Sequence, residues 1–177
     1  MHRHETRNPA QNDGPRGDPH DACALPSALV SALDGEHLDA HADEAMRLST
    51  VSADGWPHGA QLSVGEVLAV DAQTLLVAMW PRSNTAQNML RDGRLTLTLV
   101  HDGAVLEMRA RASLVAEHQT ALDLSVFRLR IERVDVHRAK YAEVLSGVTF
   151  RLHEREAVLA RWREQIAMLR THAGHAA

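Results

Sequence analysis

Between Met46 and Arg138 the chain reads as a series of short strands broken by Asp-Gly turns, and this pattern restricts the fold more than any other feature. Asp54-Gly55 and Asp102-Gly103 each stand between apolar, β-favouring runs, the arrangement of a tight hairpin. "MRLSTVSADGWPHGAQLSVGEVLAV" supplies two strands around the first turn, and Gly65 inside the second marks a bulge or a close backbone approach. "AQTLLVAMW" is a third strand after a turn at Asp71. "RLTLTLV" and "AVLEMRARASLVAE" flank the second Asp-Gly pair, and "SVFRLRIERVDVHR" is a sixth strand. In that last strand Phe127, Leu129 and Ile131 face one way and Val134 and Val136 the other, so a bulge is expected near Arg133. "GVTFRL" can add a further short strand. Six antiparallel strands with few turns close, or nearly close, into a small barrel, which removes exposed edges.

Helical periods flank and interrupt this series. Pro26 suits a first-turn position, Leu29, Val30 and Leu33 share a face, and Gly35 can end that helix. A second short helical piece is expected from Leu38 to Ala45. Asn84 to Arg91 reads as a short helix between strands, with Gly93 just past its end. The chain closes on "HEREAVLARWREQIAML", where Val158, Leu159, Trp162, Ile166 and Leu169 form a helical stripe. Residues 1–22 are polar, carry Gly14, Gly17 and three prolines, and are expected to be a disordered leader. Residues 23–177 then form one domain, with a barrel over about 45–152 and a C-terminal helix over about 153–170. The fold class is α+β.

Composition narrows the function classes. A formal charge of −4 gives no electrostatic footprint for nucleic acid. No apolar run approaches a membrane span and the N-terminus lacks an apolar signal core, so the expected compartment is the cytoplasm. The one cysteine, Cys23, excludes an intramolecular disulfide and a cysteine zinc cluster, and reads as an inert thiol. Lys140 is the only lysine, so positive charge is carried by arginine, the better residue for forked recognition of phosphate or carboxylate.

The turn "PRSNT" is the most suggestive site. Ser83 or Asn84 can cap the following helix and leave other amide donors free, while the helix dipole and Arg82 favour an anion. Thr85 adds a hydroxyl, and Asn88 lies one turn further on. An ordinary capped helix uses the same residues, so the two readings stand side by side. "HLDAH" puts His37 and His41 at a helical spacing that suits a metal, but no third ligand is evident; with 12 histidines scattered over the chain, a solvated helix face is the better reading and no metal is expected. No GxSxG, Walker or GxGxxG motif is present, and no catalytic side chain is assigned.

Taken together, Leu48 to Ala112 resembles the pyridoxamine 5′-phosphate oxidase-like family of FMN-binding split barrels. "LSTVSADGWPHGAQL" looks like the opening hairpin, and "LLVAMWPRSNTAQNMLRDGRLTLTL" like the strand, polar turn, short helix and next strand of that family. The resemblance implies a six-stranded antiparallel split β-barrel with flanking helices, a homodimer, and FMN in a groove between two barrels. Arg82, Ser83, Asn84 and Thr85 match the turn that holds the FMN phosphate, with Asn88 as a helper; Gln61, Ser63 and Val64 match the strand beside the ring and ribityl chain. Met79 and Trp80 match the strand end next to the flavin, and Glu107 lies on a strand that approaches from the partner subunit. Many relatives carry Lys or Arg where this chain has Asn84 or Thr85, which leaves the phosphate charge mainly to Arg82, with an arginine of the partner subunit as the other source. The C-terminal Trp162-Arg163 pair is not followed by proline, so the pyridoxamine phosphate substrate segment of the family is not matched. The implied activity is flavin-mediated hydride or electron transfer on a small molecule. Haem or deazaflavin binding, or a non-catalytic module, are the alternatives on the same barrel.

Overall fold

The computed structural model describes residues 23–117 and 122–174; the expected leader lies outside them. Eight strands form one antiparallel sheet: β1 (Glu44–Val51), β2 (Pro57–Ser63), β3 (Val67–Ala69), β4 (Thr74–Met79), β5 (Arg94–His101), β6 (Ala104–Ala116), β7 (Ser125–His137) and β8 (Val148–Thr149). The order across the sheet is β2-β1-β5-β6-β7-β4-β3, with β8 pairing the start of β1. The sheet curls around a core in which Leu48, Leu97, Met108, Phe127 and Leu129 are fully buried. It does not close by hydrogen bonds, because β2 and β3 are its two ends. Both Asp-Gly turns form the expected hairpins.

Six strands were expected along the main barrel, and the extra strand has a local cause. The run through Gly65 is not one strand. Ser63 donates from its backbone N–H (2.7 Å) and its hydroxyl (2.8 Å) to the Glu66 carboxylate, and Val64–Glu66 makes one 3₁₀ turn. Beyond it β3 pairs with β4 rather than continuing beside β1. The expected bulge in the sixth long strand is present: Arg133 lies opposite Arg109, but Ile131 lies opposite Ala110, so Glu132 is the extra residue and the side-chain alternation flips there.

Among the described residues three helices accompany the sheet: α1 (Ser27–Ala32), α2 (Asn84–Arg91) and α3 (Arg155–Ala173). Pro26 stands at the N-cap of α1 rather than inside its first turn, and its carbonyl accepts the Val30 N–H at 3.1 Å. Past α1, the Leu33 carbonyl accepts the Ala69 N–H at 2.8 Å, so this segment covers the outer edge of β3. The second helical piece expected over Leu38–Ala45 is absent. Two successive turns, closed by Ala40 N–H to His37 O and Glu44 N–H to His41 O (both 3.1 Å), lead directly into β1. Leu38 and Ala42 are buried there, but the segment is too short to offset the cost of helix nucleation. α2 has the expected bounds, and Gly93, with φ of +77°, takes the left-handed conformation that stops it.

α3 packs on the 3₁₀ turn and on β3 and β4. Its expected stripe is the buried face: Leu159, Trp162, Ile166 and Leu169 are each 5% exposed or less. The close approach anticipated at Gly65 comes from this helix. A Cβ built on Gly65 would lie 2.0 Å from Trp162 Cγ, and one on Gly35 would lie 2.4 Å from Ile166 Cγ2. Two residues without side chains therefore seat the helix. No helix among the described residues is long and apolar enough to cross a membrane.

Candidate functional site

The turn between β4 and α2 is built from its own polar groups. Trp80 O accepts both the Ser83 N–H (3.0 Å) and the Ser83 hydroxyl (2.8 Å), which folds the chain back on itself. Ser83 Oγ in turn accepts the Ala86 N–H at 3.1 Å and so caps α2. Both hydrogen-bonding roles of that hydroxyl are committed. The intrahelical ladder begins with Gln87 N–H to Ser83 O (3.0 Å), so the N–H groups of Asn84 and Thr85 precede it. The first turn of α2 contains no acidic residue. Arg82 is exposed, and no carboxylate lies within ion-pair distance of it among the described residues. Thr85 is 3% exposed at the same end of the helix.

Asn88 faces inward. Its Nδ2 donates to Thr50 Oγ1 (3.0 Å), and its Oδ1 accepts from Arg91 Nη1 (3.1 Å). The second Arg91 nitrogen donates to the carbonyl of Val51. This network, buried at Asn88 and Thr50 and open to solvent at Arg91, ties α2 to β1 and uses the Asn88 side chain at both ends. Just past the helix, the Arg94 side chain beside Asp92 lowers the Asp92 carboxyl pKa to about 2.

The other expected residues are distributed around this turn. Met79 closes β4 and is buried, whereas Trp80 is 53% exposed. Ser63 and Val64 are buried where β2 passes into the 3₁₀ turn, and the Ser63 hydroxyl is spent on Glu66. Gln61 is exposed on β2. α2 packs against β1, β2 and β6, so Gln61 and the turn belong to neighbouring elements. Glu107 is not brought to them. The end of β6 next to α2 is Ala112, whose N–H donates to Gly93 O at 2.7 Å, and Glu107 is five residues away, about 17 Å of extended strand. There Glu107 meets Arg109 (3.4 Å), and Arg109 also reaches Asp135 (3.8 Å), whose carboxyl is held below the usual range by its hydrogen bond from Arg133.

One residue at the turn escaped the sequence reading. Arg161, from α3, places its guanidinium over the Trp80 ring, 5.3 Å from the centroid. Only its position one residue before the stripe member Trp162 marks it in the sequence. The His37/His41 pair has lost its helical premise; His41 Nδ1 instead meets Glu44 at 3.2 Å. Cys23 is exposed, and its thiol donates to the carbonyl of Glu132 at 3.0 Å. Depressions mark the surface of the described residues, and two of them bear on the expected site residues. One of about 330 Å³ is lined by Thr50, Arg94, Arg109 and Glu132 among others; the second, of about 370 Å³, lies between α1, the start of β1 and residues 144–149. Val64 lines the second, and the Arg82–Thr85 turn lines neither.

Comparison with known proteins agrees with this architecture. The family model described as pyridoxamine 5′-phosphate oxidase matches residues 33–152 and ends before α3. The uncharacterized protein YclD of Bacillus subtilis (strain 168) is 36% identical over 143 residues, which cover 80% of this chain and 93% of that protein. Among solved structures, a candidate pyridoxamine 5′-phosphate oxidase from Lactobacillus delbrueckii is 20% identical, with a TM-score of 0.49 over 63% of this chain and 93% of its own. HutZ, the haem storage protein of Vibrio cholerae, is 16% identical with a TM-score of 0.43, over 61% and 91% of the two chains. From Leu33 through the last short strand, this α+β protein belongs to the pyridoxamine 5′-phosphate oxidase-like split-barrel family.

Proposed function

We propose that this protein is a cytoplasmic FMN-binding oxidoreductase, acting as a homodimer on a small-molecule substrate or electron donor. The observation that carries the reading is the start of α2. An arginine with no ion-pair partner among the described residues, two amide N–H groups outside the helical ladder and a first turn free of acids converge there. Those groups fit a phosphate, because the helix N-terminus and a guanidinium both favour an anion and no carboxylate competes. Family membership supports flavin as the group that bears it. Arg82 would carry the charge, Asn84 and Thr85 would donate their N–H groups, and the Thr85 hydroxyl would add a further donor. Ser83 and Asn88 would shape the turn rather than touch the ligand, since their side chains are already committed.

When bound, the flavin supplies the hydride or electron transfer. The protein's part is to position it. Gln61 and the Ser63–Val64 end of β2 would run beside the ring and ribityl chain, with Met79 as an apolar floor and Trp80 as a wall. By likeness to the family, a second subunit would close the groove, bringing Glu107 to it from across the dimer.

The test is an absorption spectrum of purified protein before and after incubation with FMN and desalting. Retained flavin bands that are lost in Arg82→Gln support the reading, and turnover with a reduced nicotinamide is then measured. Folded protein that retains no flavin removes it. A Soret band on haem titration, or retention of deazaflavin instead, would move the same barrel to those cofactors.

A further inference from the structure

We propose that the depression of about 370 Å³ between α1, the start of β1 and residues 144–149 binds a small amphipathic amine, an apolar body with one positive head, and that Glu44 is its counter-ion. The site stands apart from the one read as holding FMN. Asn88 of α2 meets Thr50, whereas Ala45, which lines the depression, is five residues back along β1, about 17 Å of extended strand. The lining is mainly apolar. Leu29 and Leu33, from α1 and its end, join Met46 and Val64, all four buried, and Leu99 of β5 is part-buried beside them. Apolar surface also stays open at the mouth, where Leu145 is 89% exposed and Val148 50%. A concave, largely apolar space of this volume lies at the small end of ligand sites, and its few polar groups then set what it takes.

Those groups select a cation. Two carboxylates line the depression, Glu44 and Asp102, and no arginine or lysine does so among the described residues. Asp102 is already matched by Arg138, at 2.5 Å. Glu44 has no guanidinium or ammonium at ion-pair distance among the described residues. Its side-chain partner is the His41 ring, 3.2 Å from Oε1, and its second oxygen accepts no hydrogen bond among them. A carboxylate so placed makes its strongest hydrogen bond to an ammonium group, and it repels a ligand of its own sign. A bare metal ion is not the occupant, because no three His, Cys, Asp or Glu side chains among the described residues are grouped to hold one. The apolar lining and the unmatched acid are therefore answered together by one molecule with a hydrocarbon body and an ammonium head. The fold holds the two sides of the site apart: the end of α1 is tied to Ala69 of β3, while β8 pairs with Glu44 and Ala45.

Equilibrium dialysis of the full-length protein would compare n-octylammonium, octanol and octanoate, one chain length with three head groups. The variants are Glu44→Gln, Ser146→Trp and Glu164→Gln. Ser146 is exposed at the mouth, so tryptophan there obstructs entry without touching the core, and Glu164, exposed on α3, is the charge control. Wild type is expected to bind octylammonium saturably and about tenfold more tightly than octanol, the worth of one charge-assisted hydrogen bond, and octanoate more weakly than either. Glu44→Gln should bring octylammonium down to the affinity of octanol and leave octanol unchanged. Ser146→Trp should weaken both, and Glu164→Gln neither. Folded wild type that binds no octylammonium overturns the proposal. So does an affinity for octanol or octanoate equal to that for the amine, which needs no variant to observe. An undiminished preference for the amine in Glu44→Gln places it elsewhere on the protein and overturns the proposal as well. None of these results depends on whether FMN is bound at the start of α2.

Discussion

Gly65→Ala is the sharpest test of how α3 is seated. The backbone at Gly65 is not in the left-handed region, so alanine faces no conformational penalty there; all of the cost comes from space. The new Cβ would lie 2.0 Å from Trp162 Cγ and 2.4 Å from both Trp162 Cβ and Cδ1. Carbon atoms settle at about 3.5 Å, so the overlap is about 1.5 Å. It falls on the root of a buried indole rather than on a flexible tip, so either α3 retracts or Trp162 leaves its rotamer. Overpacking of this kind costs about 1–3 kcal/mol. Stiffening the unfolded chain by Gly→Ala returns roughly 0.4–1 kcal/mol, for a net loss of about 1–2 kcal/mol. For a domain of this size that is a fall in Tm of roughly 2–8 °C. Thermal and urea denaturation would measure it, and the emission of Trp162, 5% exposed in the native protein, should shift to the red. Gly174→Ala is the comparison, because a Cβ there meets nothing within 4 Å. If Gly65→Ala costs no more than Gly174→Ala, the keyed contact with Trp162 is wrong, and so is the register that puts Arg161 over Trp80.

Two further outcomes follow from local chemistry. Asn88→Ala should destabilise the protein by about 1–3 kcal/mol in urea denaturation, because it strands the buried Thr50 hydroxyl inside the α2–β1 contact; a change under about 0.5 kcal/mol would show that the network is not stabilising. Asp92 has a folded pKa of about 2, below its ordinary value of 3.8, so its pairing with Arg94 favours the fold above pH about 4 and is lost as pH falls toward 2. Asp92→Asn should therefore flatten the acid limb of the stability profile in that window, and a profile identical to wild type would refute the pairing.

Local rules were enough for most of the barrel. Two Asp-Gly pairs placed the hairpins, since the right-handed twist of paired strands selects the few residues that tolerate such turns. The change of side-chain face beyond Ile131 located the bulge, and the Ser83 cap and Gly93 stop bounded α2. Errors arose where a local preference had two outcomes. The run through Gly65 is β-favouring throughout, and only the Glu66 carboxylate folding back on Ser63 breaks it in two. Leu38 to Ala45 has helical spacing, but its buried residues Leu38, Ala42 and Ala45 are satisfied by turns that feed β1 and by the start of β1 itself.

The same division runs through the candidate site. Arg82, Ser83, Asn84 and Thr85 are adjacent in sequence, so a cap, a cation and free amides could be read from one short string. Which of those groups remain available could not, because availability depends on partners. The Asn88 amide is used by a threonine 38 positions away, and the Ser83 hydroxyl is closed on both sides by its own turn. Arg161 is the clearest case. Its neighbours in the chain are ordinary helix residues, and it meets Trp80 only because α3 settles into a hollow left by glycine on the opposite side of the sequence. Sequence determined the elements, since periodicity, turns and caps act over a few residues; tertiary structure decided which polar groups stay open and which side chains meet, since those depend on distance in space.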